Sequence, residues 1–242
     1  MSESFLFDPN ADTSHLIGGG KRGKLICLEG ADACGKSSQV TEICEYLDDL
    51  GLTWKFVHFP MYGANEFANI ISMFLRGEFG DNDTVDPLFL ANIYAMDRYK
   101  YKTDLVKHLD EYDYVILDRY VFSNMAYQGA KYTLDEKRQS IVKWIDDFEF
   151  KFLQLPYPDV IIYFDLPIDI IRDRINKRDD EEDRDYLKGK KDVHEADLQF
   201  QSRVRKLYLG LDVMKNYHVV RCVDEGDVLS PLDLFIRYKH LI

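Results

Sequence analysis

The stretch KLICLEGADACGKSSQ, residues 24–39, changes character after its sixth residue. Lys24–Glu29 is almost continuously apolar, as expected of a strand covered on both faces in a parallel sheet. Gly30–Ser37 is small and polar and satisfies GxxxxGK followed by Ser or Thr. A helical pattern follows, with Val40, Ile43, Tyr46, Leu47 and Leu50 at apolar spacing and Gly51 as a stop. Between a strand and a helix, glycines let successive backbone N–H groups point into one concave nest, and the helix N-terminus adds positive potential. The expectation is a nucleoside triphosphate held by Gly30, Ala31, Asp32, Ala33, Cys34, Gly35, Lys36, Ser37 and Ser38. Lys36 is placed for the β- and γ-phosphates and the Ser37 hydroxyl for Mg²⁺.

Further strands are read at 54–59, 114–118, 159–165 and 217–223, and helical patterns at 86–110, 134–152 and 196–215. Asp86 and Pro87 open the first of these as N-cap and first helical residue. Alternating strands and helices predict a doubly wound α/β fold with a parallel sheet of about five strands. With 242 residues, no repeat and no linker, we expect one domain over 23–242 behind a flexible extension, 1–22. The run 176–192 is almost wholly charged and reads either as a solvated loop or as a lid carrying cations.

Composition narrows the partners. A net charge of -12 argues against a general nucleic-acid or membrane surface. No apolar run approaches a membrane span, and the first twenty residues do not read as a secretory signal. Four cysteines without metal spacing read as reduced core thiols, hence a cytoplasmic setting.

Strand 114–118 ends in Asp118-Arg119-Tyr120. An acidic residue there can support Mg²⁺ or its waters, and Arg119 can grip a second phosphate or form a surface ion pair. Neither the guanine-reading NKxD of a switch GTPase nor the DExx of a motor follows a strand here.

Taken together, LICLEGADACGKSSQ, FVHFPMYG, YAMDR, DRYVFSNMAYQGAK and LPYPDVIIYFDL occur in the order and spacing of the thymidylate kinases, so residues 24–223 resemble that family. The resemblance implies ATP as donor with Mg²⁺, dTMP as acceptor, and a homodimer joined through helices. It places Asp32 near the acceptor's sugar, its phosphate and the metal. Phe59, Pro60 and Tyr62 fall beside the acceptor phosphate. Tyr94 would stack on thymine, Arg98 and Asn124 would contact the base, and Tyr127 would pack on the deoxyribose, where it disfavours a 2′-hydroxyl. Arg119 becomes the acceptor-phosphate arginine, Asp118 its neighbour, and Glu195 an acceptor-side contact. On spacing alone, Tyr94 also fits a core position and Asn124 a helix cap.

Two departures stand out. Many relatives carry arginine or glycine where this chain has Ala33, and some have tyrosine where it has His194. Without a loop arginine, cations for the transferring phosphoryl must come from Arg174, Arg178 and Arg184, with Arg178 first. Two other readings use the same phosphate loop: a deoxynucleoside kinase, which needs a carboxylate base, and a catalytically idle nucleotide-binding module.

Overall fold

The computed structural model describes residues 22–179, 185–188, 192–195 and 197–242. Most of the expected extension, Arg184 and the side chain of Arg178 lie outside the described residues. Five strands form one parallel sheet: β1 (Lys24–Glu29), β2 (Trp54–His58), β3 (Tyr114–Asp118), β4 (Val160–Asp165) and β5 (Tyr217–Arg221), in the order β2-β3-β1-β4-β5. The sheet is buried because alternate residues of each central strand feed two different cores. In β1, Leu25 and Cys27 join one apolar cluster while Ile26 and Leu28 join the other; in β4, Ile161 and Tyr163 part in the same way from Ile162 and Phe164. A period of two with both faces covered gives the continuous apolar runs read from the sequence.

The second of these cores is covered by α1 (Lys36–Asp49), α7 (Ile168–Asp179) and α9 (Pro231–Tyr238). The first is covered by α3 (Pro87–Lys100), α4 (Lys102–Glu111), α5 (Val121–Gly129), α6 (Asp135–Asp146) and α8 (Leu198–Gly210). Every residue of α5 is buried, so this helix is core rather than amphipathic cover. Gly129 ends α5 against α8, where an added Cβ would lie 2.7 Å from the tip of Leu207. All four cysteines are buried free thiols.

The structure changes some boundaries. The helical pattern at 86–110 is two helices broken at Tyr101, whose backbone (ψ -2°) closes a turn on Arg98. The pattern at 134–152 is α6 followed by a wider, π-helical turn, Asp147–Phe152. Sequence reading missed α2 (Glu66–Leu75), capped by Asn65, and α9, capped by Ser230. It also missed a two-stranded hairpin of β6 (Val223–Asp224) and β7 (Asp227–Val228), into which it had run the last sheet strand. Among the described residues no helix is long and apolar enough to cross a membrane.

Candidate active site

The loops that leave the carboxyl ends of β1, β2 and β3 converge on one cleft, the usual position for a ligand in an open parallel sheet. The loop after β1 owes its shape to two glycines. Gly30 has φ +154°, and a Cβ there would lie 2.6 Å from Cys34 Sγ and 3.2 Å from the Phe164 carbonyl. Gly35 (φ 105°) starts α1 in the left-handed region and supplies no side-chain cap, so the first-turn N–H groups keep no side-chain acceptor from the cap. Lys36 is buried, and its Nζ donates to the Gly30 and Ala31 carbonyls at 3.2 and 3.1 Å while standing 3.9 Å from Asp118 Oδ1. Ser37 and Ser38 are exposed at the helix start.

Asp118 closes this end from below. Burial pushes its carboxyl up, but Lys36, the His58 imidazole bonded at 3.2 Å and Arg119 together bring it below the usual range, so it stays ionised. Its Oδ1 is buried and has no hydrogen-bond partner among the described residues. From above, Arg174 of α7 donates through Nη1 to the Ala33 carbonyl at 3.1 Å. Arg174 thus reaches the loop at Ala33 from the helix that follows β4. Of the charged run, α7 takes in residues through Asp179, and Tyr186 and Leu187 fold back against α2: Tyr186 stacks on Tyr62 at 4.0 Å and Leu187 is buried.

Arg119 links this end to the next. Its backbone is left-handed (φ 67°), and its N–H is held by the Leu28 carbonyl at 2.9 Å. The guanidinium donates to Asp32 Oδ1 at 2.8 Å and Ser123 Oγ at 3.2 Å, and lies 5.3 Å over the Tyr127 ring. Burial pushes its pKa down, but Tyr127 and Asp32 outweigh that and hold it well above the ordinary value, so the charge is permanent. The strained turn is fixed by Glu29, which is fully buried and accepts from the backbone of Tyr120 (2.8 Å) and Ser123 (3.2 Å), the Ser123 hydroxyl (2.5 Å) and Tyr208 (3.0 Å). A carboxylate on the first turn of α5 is also favoured by the helix dipole.

Beyond Arg119 the cleft continues into a partly open hollow. Asp32, Pro60, Tyr62, Tyr94, Arg119, Asn124 and Tyr127 line it, together with Tyr186, Asp192 and His194. Four expected contacts do not. Phe59 is core, edge-on to Tyr101 at 5.9 Å. Asp118 lies under the phosphate loop, and Glu195 is buried outside the cleft wall. Arg98 stands behind the wall because Glu149 claims it: Nε and Nη2 each donate to that carboxylate at 2.6 Å, and both residues are buried.

Glu149 also fixes Asn124. The Asn124 Nδ2 donates to Glu149 Oε1 at 2.8 Å and to the Ala91 carbonyl at 3.0 Å. Both partners only accept, so the nitrogen must be on that side and Oδ1 on the other. Oδ1 is buried without a partner among the described residues. Asn124 is therefore no cap; it is the fourth residue of α5, whose cap position is Tyr120. Tyr94 lines the cleft and also packs against the small core around Phe74 and Leu90. Sequence reasoning missed Glu29, Glu149, Asn82 and Tyr186. Glu149 falls in a charged helical pattern where nothing local distinguishes it from a solvent-facing glutamate.

Residues 28–225 match the family model for thymidylate kinase. The thymidylate kinase of Mycobacterium tuberculosis is 30% identical over 187 residues, covering 77% of this chain and 85% of that one. A probable thymidylate kinase 1 of Saccharolobus solfataricus is 32% identical over 208 residues, or 86% and 93% of the two chains. The solved thymidylate kinase structure from Candida albicans superposes with a TM-score of 0.62 over 90% of this chain and 92% of that one; at 23% identity this speaks to the fold.

Proposed function

The chain belongs to the thymidylate kinase family, and from that premise we propose that it transfers the γ-phosphoryl of ATP to dTMP, giving ADP and dTDP. The observation that carries the reading is the pairing, in one cleft, of a phosphate loop with Arg119 and an Asn124 oxygen that has no donor among the described residues. The acceptor's phosphate meets Arg119, its base meets Asn124, and the ring of Tyr94 covers the base. Thymine offers an N3–H donor to Asn124 Oδ1, whereas cytosine presents an acceptor there and leaves both groups unpaired, which is costly in a buried site.

The attacking group is a phosphate oxygen already ionised, so the reaction needs in-line positioning and charge neutralisation rather than a strong base. Lys36 leaves its two carbonyl partners for the β- and γ-phosphates, and the backbone nest of 30–37 cradles them. Arg119 pulls the acceptor phosphate toward the loop, while Asp32, bonded to it, fixes the angle of the guanidinium. Arg174, with Arg178 and Arg184, is the cation source over the transferring group.

The residues present fit Mg²⁺ arriving with ATP. Asp118 offers an ionised oxygen with no hydrogen-bond partner among the described residues, and Ser37 an exposed hydroxyl. Mg²⁺ would supply charge neutralisation across the phosphate oxygens. We read the enzyme as a cytoplasmic homodimer; Leu88 and Phe89, exposed on α3, are apolar surface that a helix contact would cover. A coupled ADP-release assay with dTMP, with thymidine and with no acceptor tests the reading. Turnover with dTMP alone is expected; faster turnover with thymidine, or none above background, overturns it.

A further inference from the structure

His194 lies on the wall of the acceptor cleft with one ring nitrogen spoken for and the other bare. Its Nδ1 is 2.6 Å from Asn82 Oδ1, and Asn82 Nδ2 donates to the Val193 carbonyl at 3.0 Å. The carbonyl only accepts, so the Asn82 nitrogen faces it and the Asn82 oxygen faces the imidazole. Nδ1 must then carry the proton. Burial, then the nearby Lys131 ammonium, holds the imidazole neutral, well below its ordinary titration range despite the opposing Asp32. Nε2 is left as an unprotonated acceptor, buried and without a partner among the described residues.

The ring faces are already used. Phe200 stacks at 5.2 Å, and Tyr127 and Phe74 pack at 5.0 and 5.3 Å. Only the edge that carries Nε2 remains for a ligand. The neighbouring Tyr127 reaches Asp32 with its hydroxyl at 3.2 Å, so His194 sits at the sugar–phosphate end of the cleft. An ionised phosphate has no hydrogen to offer a bare nitrogen, and the base donor is engaged at Asn124. A deoxynucleotide has one other donor at this end, its 3′-hydroxyl.

Resting on the reading of the site as a dTMP site, we infer that His194 Nε2 accepts a hydrogen bond from the 3′-hydroxyl of the acceptor nucleotide. Asn82 is the positioning residue that fixes the tautomer. The pair selects acceptors with a free 3′-hydroxyl, alongside whatever Asp32 contributes.

Steady-state kinetics with dTMP and with 3′-deoxythymidine monophosphate, on wild type and His194→Phe, test this as a cycle internal to each variant. Wild type should prefer dTMP by about tenfold or more in kcat/KM, the worth of a buried hydrogen bond whose partner is lost. In His194→Phe that preference should shrink at least about fivefold. A preference equal within about twofold in both proteins overturns the assignment, as does coupling to the 2′-hydroxyl of ribothymidine monophosphate instead. Imidazole ¹⁵N resonances of wild type make the test independent of how the variant folds. The Nε2 signal should move on adding dTMP but not the 3′-deoxy analogue, and equal movement with both counts against the inference. Failure of wild type to use dTMP at all is a separate result, and it would strike the acceptor reading first.

Discussion

At the proposed donor end of the cleft a ligand would be met by main chain: a loop bent by Gly30 and Gly35, the open first turn of α1, and one ammonium, Lys36. At the proposed acceptor end it would be met by side chains from α3, α5 and the segment around 192–195, several of them aimed by a second buried residue. Glu149 aims Asn124, Glu29 fixes the Arg119 turn, and Asn82 sets the His194 tautomer. A backbone nest needs only short-range conformation and can serve any triphosphate. A side-chain wall needs long-range partners, and it can tell one base from another because each buried donor or acceptor has a fixed direction.

The contrast can be broken at either end, and the largest effect belongs to the donor end. Lys36→Ala should lower kcat/KM for ATP at least about a hundredfold through lost charge stabilisation, while the thermal melt stays close to wild type. Near-normal turnover would mean the loop is not the ATP site. Arg174→Ala comes next, with kcat falling roughly a hundredfold and KM for dTMP moving far less. If Arg174, Arg178 and Arg184 can each be changed to alanine within about threefold of wild type, the catalytic charge comes from elsewhere.

Smaller effects are expected at the acceptor end, and they should appear as changed choice rather than lost rate. Asn124→Ala should reduce the preference for dTMP over dCMP about tenfold. Glu149→Gln should do the same at a distance, because a side-chain amide no longer dictates which way Asn124 points; it should also destabilise the fold by about 3 kcal/mol through the unpaired Arg98. Competition assays between the two nucleotides read the first effect, and denaturant melts the second. An unchanged base preference in both variants would remove the distinction between the two ends.

The smallest effect reaches the acceptor wall from behind. Lys131 Nζ lies 4.6 Å over the Phe74 ring, buried and without a hydrogen-bond partner among the described residues. Burial depresses it to about 7, against the weaker pull of Asp83, Asp86 and Asp81. The unfolded lysine stays protonated up to about pH 10.4. Between those values the unfolded chain binds more protons, so stability should rise with pH above 7. Lys131→Met should flatten that rise and increase the melting temperature at pH 7 by a few degrees; an unaltered pH profile would refute it.

Glycine spacing, the lysine and the apolar runs on either side are local facts, so the sequence alone determined the parallel sheet, the phosphate loop and the triphosphate chemistry. Family motifs extended that reading to Tyr94, Arg119, Asn124 and Tyr127, all of which lie on the cleft. Tertiary structure decided the rest. Whether Arg98 faces a base or a carboxylate depends on Glu149, 51 positions away. The orientation of Asn124 rests on that same carboxylate, 25 positions away. The proton on His194 depends on Asn82, 112 positions away. Hydrogen-bond direction belongs to pairs that only folding brings within 3 Å or so, and no window of sequence contains both members.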